Sequence, residues 1–228
     1  MALSDRFHGI VILGAPGSGK GTQAKLISES IELPHISSGE LLRANIANQT
    51  PLGIMAKGLI DSGSLVPDDV AVPMVRDRLM QNDCKRGFIL DGFPRTIPQA
   101  DALNSVLQVL GMCITLVPYL RVSERMLMQR LMHRLTCRVC GTTYSLISLS
   151  PGDACEKPDC GGVLFRRSDD DPDTQRKRIA IYDEQTAPLI SYYAERHILK
   201  RVSGEHTVDY IFRKLLDAMR SSRTCDQL

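Results

Sequence analysis

The stretch Gly14-Ala-Pro-Gly17-Ser18-Gly19-Lys20-Gly21-Thr22 constrains this chain more than any other, because of what stands in front of it. The preceding run, Gly9-Ile-Val-Ile-Leu13, is short, apolar and stops at a glycine, as a buried parallel strand does. G-x-x-x-x-G-K between a strand and a helix is the spacing of a phosphate-binding loop. Its glycines let successive backbone N–H groups turn inward, and the helix that follows adds the positive end of its dipole. Lys20 supplies a mobile charge for the β and γ phosphates. The hydroxyl is delayed by one position, since Gly21 follows the lysine and Thr22 comes next. Gly17, Ser18, Gly19, Lys20, Gly21 and Thr22 are therefore the candidate contacts to a nucleoside triphosphate.

Beyond this loop the pattern alternates. Helices are expected over 20–30, 40–49 and 53–62, and another after Pro67-Asp68-Asp69, whose acids suit a helix N-terminus. Residues 88–90 and 113–119 read as core strands, with a helix over 98–110 between them. Ser123 is placed as an N-cap with Glu124 in the first turn, opening a helix to about residue 135. Its Leu127, Met128, Leu131, Met132, Leu135 stripe has helical spacing, and Arg130 and Arg134 share a face. Helices resume near Pro172, a strand is expected over 198–202, and a last helix begins at Thr207. Strands alternating with helices imply a parallel α/β sheet with right-handed crossovers. The Cys/Gly/Pro-rich segment 136–170 interrupts that alternation and is the candidate small second domain.

At 228 residues, 43% of them hydrophobic and 24% charged, the chain can bury a sizeable core, which excludes disordered and low-complexity architectures. A net charge of +2 does not point to nucleic acid or a membrane surface. The longest apolar runs, 10–13 and 113–117, fall far short of the ~20 residues of a membrane span. Residues 1–6 carry neither a hydrophobic signal core nor an Arg/Ser-rich transit segment, so an intracellular protein is expected.

Of seven cysteines, four fall between 137 and 160, while Cys84, Cys113 and Cys225 stand alone. That clustering indicates a metal site in a reducing compartment rather than a disulfide framework. Cys137-x₂-Cys140 and Cys155-x₄-Cys160-Gly161 offer four thiolates, which suit tetrahedral Zn²⁺. The second pair is wider than Cys-x₂-Cys and contains Pro158; free thiols or an oxidised pair are the alternatives. Four ligands leave no open position, so the zinc would be structural. His35, His133 and His197 lack paired ligand spacing and read as surface or satisfied histidines. The terminal Cys225-Asp-Gln-Leu228 only loosely mimics a prenylation box and is discounted.

A second motif, Asp91-Gly92-Phe93-Pro94-Arg95, closes an apolar strand. Asp91 there could hold Mg²⁺ through water, or simply cap a turn; Arg95 could grip an anionic substrate, or form a surface ion pair.

Gly14–Thr22, Ser37-Ser38-Gly39-Glu40-Leu-Leu-Arg43, Asp91–Arg95 with Thr96 and Gln99, and Arg176-Lys177-Arg178 together resemble the adenylate kinase family in its long, large-lid form. The resemblance runs from about residue 10 to the C-terminal helix, with the motifs in the family's order. It implies a three-layer P-loop α/β fold: a parallel sheet flanked by helices (1–36, 67–133 and 171–228), an AMP-binding helical arm (37–66) and a zinc-bound lid (134–170). It implies reversible phosphoryl transfer from a Mg-nucleoside triphosphate to AMP, giving two diphosphates, with ATP as donor and GTP the alternative.

By the same resemblance Lys20 and Arg134 hold the donor phosphates, and Thr143, Tyr144 and His206 lie near the donor base. Arg43 and Arg95 hold the AMP phosphate; Arg130, Arg167 and Arg178 close over the moving phosphoryl group, the last two reaching AMP as well. Ser38, Ser64, Leu65, Val66, Gly92, Phe93, Pro94 and Gln99 line the acceptor, Gln99 offering an amide to the adenine edge. The related UMP/CMP kinases tend to carry asparagine and alanine at the Gln99 and Ser38 positions, which favours AMP. The acidic pair Asp169-Asp170 either helps the lid engage or forms a solvated helix start. A monomer is expected, without nucleic-acid or membrane partners, serving adenine-nucleotide homeostasis in the cytosol, with mitochondria the alternative compartment. Two other readings remain: a non-catalytic P-loop regulator whose zinc insert meets a partner or RNA, and a kinase for UMP, CMP or GMP.

Overall fold

Five parallel strands carry the phosphate loop at their centre. The computed structural model describes residues 8–146, 149–222 and 225. In chain order the core elements are β1 (His8–Ile12), α1 (Lys20–Ile31), β2 (His35–Ser37), α2 (Ser38–Ala47), α3 (Pro51–Asp61), α4 (Asp68–Leu79), β3 (Gly87–Asp91), α5 (Ile97–Val109), β4 (Val117–Arg121) and α6 (Glu124–Met132). The insert contributes β5 (Arg134–Cys137), β6 (Thr143–Ser145) and β7 (Leu164–Phe165), and the chain ends with α7 (Pro172–Ile181), α8 (Pro188–Glu195), β8 (Leu199–Ser203) and α9 (Val208–Arg220).

β1 pairs in parallel with β3, β2 with β3, and β4 with β8. The two groups are joined where Val11 N donates to Leu116 O (3.1 Å), Leu13 N to Pro118 O (2.8 Å) and Leu120 N to Leu13 O (2.9 Å). The order is therefore β2-β3-β1-β4-β8. β1 and β3 read as nearly unbroken apolar runs because both their faces are covered. Val11, Leu13, Phe88 and Leu90 pack with Val75, Leu103 and Leu189 on one face, while Ile10, Ile12 and Ile89 pack with Ile27, Ile211 and Leu215 on the other. The carboxyl ends of β1 and β3 lie side by side, so the loops leaving them share one crevice, the usual ligand position in an open α/β sheet.

Several helix starts follow from side-chain caps: Thr50 accepts from Gly53 N, Thr96 from Gln99 N, and Asp171 from Asp173 and Thr174 N. The expected helix from Ser123 stops early, at Met132. Leu135 keeps its helical spacing on paper but lies in β5, fully buried against Leu164 and Cys137, because pairing with β6 and β7 takes the backbone over. Arg134 opens that strand, so Arg130 and Arg134 do not share a helix face. The strand expected over 113–119 begins late, at Val117, because Thr115 and Leu116 both donate to the Gly9 carbonyl instead of entering a regular ladder.

Cys113 and Cys225 do not stand alone: they form a disulfide, Cα atoms 5.7 Å apart, between the segment before β4 and the chain after α9. Sequence could not show this, since 112 positions separate the pair. Residues 1–6 and 226–228, on which the leader and prenylation readings rest, lie outside the described residues. Among the described residues no helix is long and apolar enough to cross a membrane.

Candidate functional site

Between β1 and α1 the chain turns at Gly17 (φ 82°) and Gly19 (φ 94°), left-handed conformations that favour glycine. Gly19 also fills the N-cap position of α1 without a side-chain cap, leaving the helix's first N–H groups directed at the crevice. The Ser18 hydroxyl is buried inside the turn with no protein partner. Lys20 curls back, its Nζ donating to Gly14 O (2.6 Å) and Ala15 O (3.0 Å). Burial lowers its pKa to about 8; Asp91 pulls it back up, and Arg95, Arg178 and Arg134 push it further down.

Asp91 ends β3 beside this lysine. Its burial favours the neutral acid, but His35, Lys20 and Arg95 together hold its pKa below the usual carboxylate value. The His35 imidazole is thus neither on the surface nor satisfied: Nε2 is buried 3.6 Å from Asp91 Oδ2, and it has no hydrogen bond. Past Asp91, Gly92 takes φ 77° and offers its carbonyl to both Ser38 Oγ (2.7 Å) and Arg95 Nε (2.8 Å). A Cβ there would sit 2.8 Å from Ser38 Oγ, so the close approach needs glycine. Gln99 Oε1 accepts from Arg95 N (2.8 Å) and Nε2 donates to Asp68 Oδ1 (2.7 Å). Half of its amide is thus engaged, one bond holding the Arg95 backbone, and one N–H and one lone pair remain for a base.

Two adjoining cavities open along this edge. The first meets Gly14 and Lys20, the second Ser38, Arg43, Ser64, Val66, Phe93 and Gln99; Leu65, Gly92, Arg95 and Arg178 border both. Pro94 lies on the first. Arginines from five segments gather here: Arg43 of α2, Arg95 after β3, Arg134 of β5, Arg167 after β7 and Arg178 of α7. Burial lowers the pKa of Arg95 and of Arg167 to about 10, with neighbouring guanidinium groups adding to it, and lowers those of Arg43 and Arg178; all remain charged at neutral pH. The counter-charges are Asp169, paired with Arg178, and Asp170, which accepts from Arg134 Nε at 3.1 Å. Both acids are buried, so they are not a solvated helix start. Gln175, absent from the sequence-based set, is fully buried and donates to Asp169 O and to Asp170 Oδ1 (3.1 Å), bracing the pair. Arg167 Nε donates to Thr136 Oγ1 (3.0 Å).

Some expected residues stand elsewhere. Arg130 does not join the gathered arginines: its Nη2 donates to Gly204 O (2.8 Å) and its charged neighbour is Glu205, because α6 ends before it can present Arg130 and Arg134 together. Gly204 itself packs over the loop, where a Cβ would lie 3.3 Å from Ser18 O, and the His206 ring lies tilted against Tyr210, centroids 4.5 Å apart. Tyr144 turns its hydroxyl to Cys155 Sγ (3.1 Å), serving the cysteine cluster, and Thr143 is exposed opposite Thr136.

The four insert cysteines converge, with all Sγ atoms within 4.8 Å of one another; Cys137–Cys160 and Cys140–Cys155 are each 3.6 Å apart. Tetrahedral Zn–S bonds of about 2.3 Å place sulfurs about 3.8 Å apart, so the set fits zinc despite the wider second pair. Val139 N lies 3.4 Å from Cys137 Sγ, as a knuckle turn presents it.

Comparison with known proteins agrees with this geometry. The adenylate kinase family model matches residues 12–198. The chain is 51% identical over 209 residues to an adenylate kinase of Thermodesulfovibrio yellowstonii, covering 90% of this chain and 96% of that one. It is 45% identical over 213 residues to one of Geotalea uraniireducens (93% and 98%), and 42% over 214 residues to one of Clostridium beijerinckii (94% and 99%).

Proposed function

The chain belongs to the adenylate kinase family, whose reaction is ATP + AMP = 2 ADP, and we propose how its residues divide that work. Lys20 and the N–H groups of 17–22 bind the β and γ phosphates of the donor, with Arg134 on their far side. Arg43 and Arg95 clamp the AMP phosphate, and Arg167 and Arg178 sit over the group in transit. Phosphoryl transfer asks little covalent chemistry of a protein; alignment and neutralisation of spreading negative charge supply the rate. The observation that carries this reading is the pair of cavities sharing Arg95 and Arg178, one ending on the phosphate loop and the other on the helical arm.

The family uses Mg²⁺ with its nucleotide, and Asp91 is the fitting partner: it is held ionised at the end of β3, and a Cβ on Gly21 would lie 3.3 Å from its Oδ2. When bound, the ion neutralises charge on the donor oxygens. Asp91 would hold it through water. Zinc on Cys137, Cys140, Cys155 and Cys160 would fold the lid over 134–170, with 37–66 as the AMP arm. Asp169 and Asp170 act as stand-ins for phosphate until nucleotide displaces them from Arg178 and Arg134. Action as a cytosolic monomer completes the proposal.

A donor-by-acceptor panel tests it. Mg-ATP with AMP should yield two ADP per turnover, and AMP should outpace UMP, CMP and GMP. ATP hydrolysis independent of AMP, or equal rates with UMP, would contradict the assignment.

The Lys20 pKa adds a pH prediction. Free Lys20 loses its proton as pH passes about 8, and bound phosphate, by favouring the cation, raises that value. Donor affinity should therefore be flat below pH 8 and fall above it by up to about tenfold per unit, with proton uptake on binding. Calorimetry at pH 9 in two buffers of different ionisation enthalpy measures the uptake; zero uptake would refute it. For the ligand-free protein the sign reverses. Its folded pKa lies below the unfolded 10.5, so this group adds stability as pH rises from about 8 toward 10.5.

A further inference from the structure

The insert does not reach the core only through its arginines. Lys25 on α1 donates from Nζ to the carbonyl of Cys140 (2.8 Å), a residue of the cysteine knuckle. Glu40 Oε1 on α2 lies 3.7 Å from the same ammonium. The knuckle presses into this pair so closely that a Cβ on Gly141 would sit 3.2 Å from Glu40 Oε1 and 3.3 Å from Lys25 Nζ. Four positions on, and so on the same face of α1, Glu29 accepts from Lys157 of the insert at 3.3 Å. Ser168 Oγ donates to Asp61 Oδ1 on α3 (3.1 Å). None of these side chains borders the two cavities.

We propose that Lys25 is a positioning residue for the reaction: a latch whose ammonium, flanked by Glu40, grips the carbonyl of the metal knuckle and holds the lid closed over the donor. The inference rests on the lid reading above. Lys25 dominates the seam. Its side chain is 27% exposed and its bond is charge-assisted, whereas Lys157 and Glu29 are 51% and 62% exposed and contribute little. The cysteine ligands fix the Cys140 carbonyl on a rigid turn, so one bond outside the cavities biases the whole insert. A latch stabilises the closed state before nucleotide arrives, and a weaker latch lowers apparent donor affinity by the factor it removes from the closed population.

The test uses the full chain with dyes on unnatural amino acids at positions 109 and 156, both exposed, read by single-molecule energy transfer without nucleotide. Lys25→Met should lower the ratio of closed to open lid about tenfold, the loss expected for one charge-assisted bond. The KM for Mg-ATP should rise by the factor that the closed fraction loses while kcat does not fall, since lid opening is often the slow step. Lys25→Arg should restore both. An unchanged distance distribution in Lys25→Met, or a fallen kcat at unchanged KM, would overturn the latch. A wild-type chain that formed no ADP would defeat the enzyme reading, while the distance distribution would still decide the latch.

Discussion

Replacing Arg95 with alanine should lower kcat about a thousandfold with little change in the thermal midpoint, a magnitude typical of removing one arginine from a phosphoryl-transfer site. Arg95 borders both cavities, and its backbone N–H and Nε are already anchored by Gln99 and Gly92. Its fork is thus set before any nucleotide binds. Truncation removes a buried charge crowded by Arg178 and Arg43, so the fold loses a hydrogen bond but sheds repulsion. Arg95→Lys should recover little, because a point charge cannot reproduce the paired, planar donors. Steady-state kinetics with both substrates, beside a melting curve, reads the result; near-normal kcat in either variant would remove Arg95 from the assigned role.

Removing the metal should have the second large effect. Among the described residues, the lid's buried apolar cluster is Leu135, Leu164 and Cys137, with Tyr144, Leu146, Leu149 and the other three cysteines only partly buried around them. Metal ligands thus make up much of the packed interior. So small a unit cannot fold on burial alone, and structural zinc is worth on the order of 10 kcal/mol to such sites. Chelation, or Cys137→Ser with Cys140→Ser, should split the calorimetric transition in two, a lid step far below the core step. Turnover should collapse because Arg134 and Arg167 leave the cleft. One unshifted transition in demetallated protein would show that the cysteines do not fold the lid.

Much of this was legible because the signals are local. Gly14–Thr22, the apolar β1 and β3, and the Asp91–Arg95 turn each declare their conformation within a few residues, and the structure places them as expected. What sequence missed depends on partners far along the chain. β2 has only three residues and exists because β3 pairs with it. Leu135 carries a helical spacing, yet the sheet of the insert claims it. Asp169 and Asp170 look like any acidic helix start, and it takes Arg178 and Gln175 of α7 and Arg134 of β5 to show that they are buried. His35 shows no motif at all; its meaning comes from Asp91, its neighbour across the sheet edge. Gln99 keeps one N–H and one lone pair for a base, but nothing local shows that Asp68 and Arg95 take the other half of its amide. The Cys113–Cys225 disulfide likewise joins two residues that nothing local pairs, 112 positions apart.

The most direct measurement is a crystal structure with a dinucleotide in which five phosphates join two adenosines. The phosphate chain should run from the N–H groups of Gly19 and Lys20, past Arg134, Arg167 and Arg178, to Arg43 and Arg95, with Asp169 and Asp170 released from their arginines. A phosphate chain lying outside this path, with those ion pairs intact, would contradict the account.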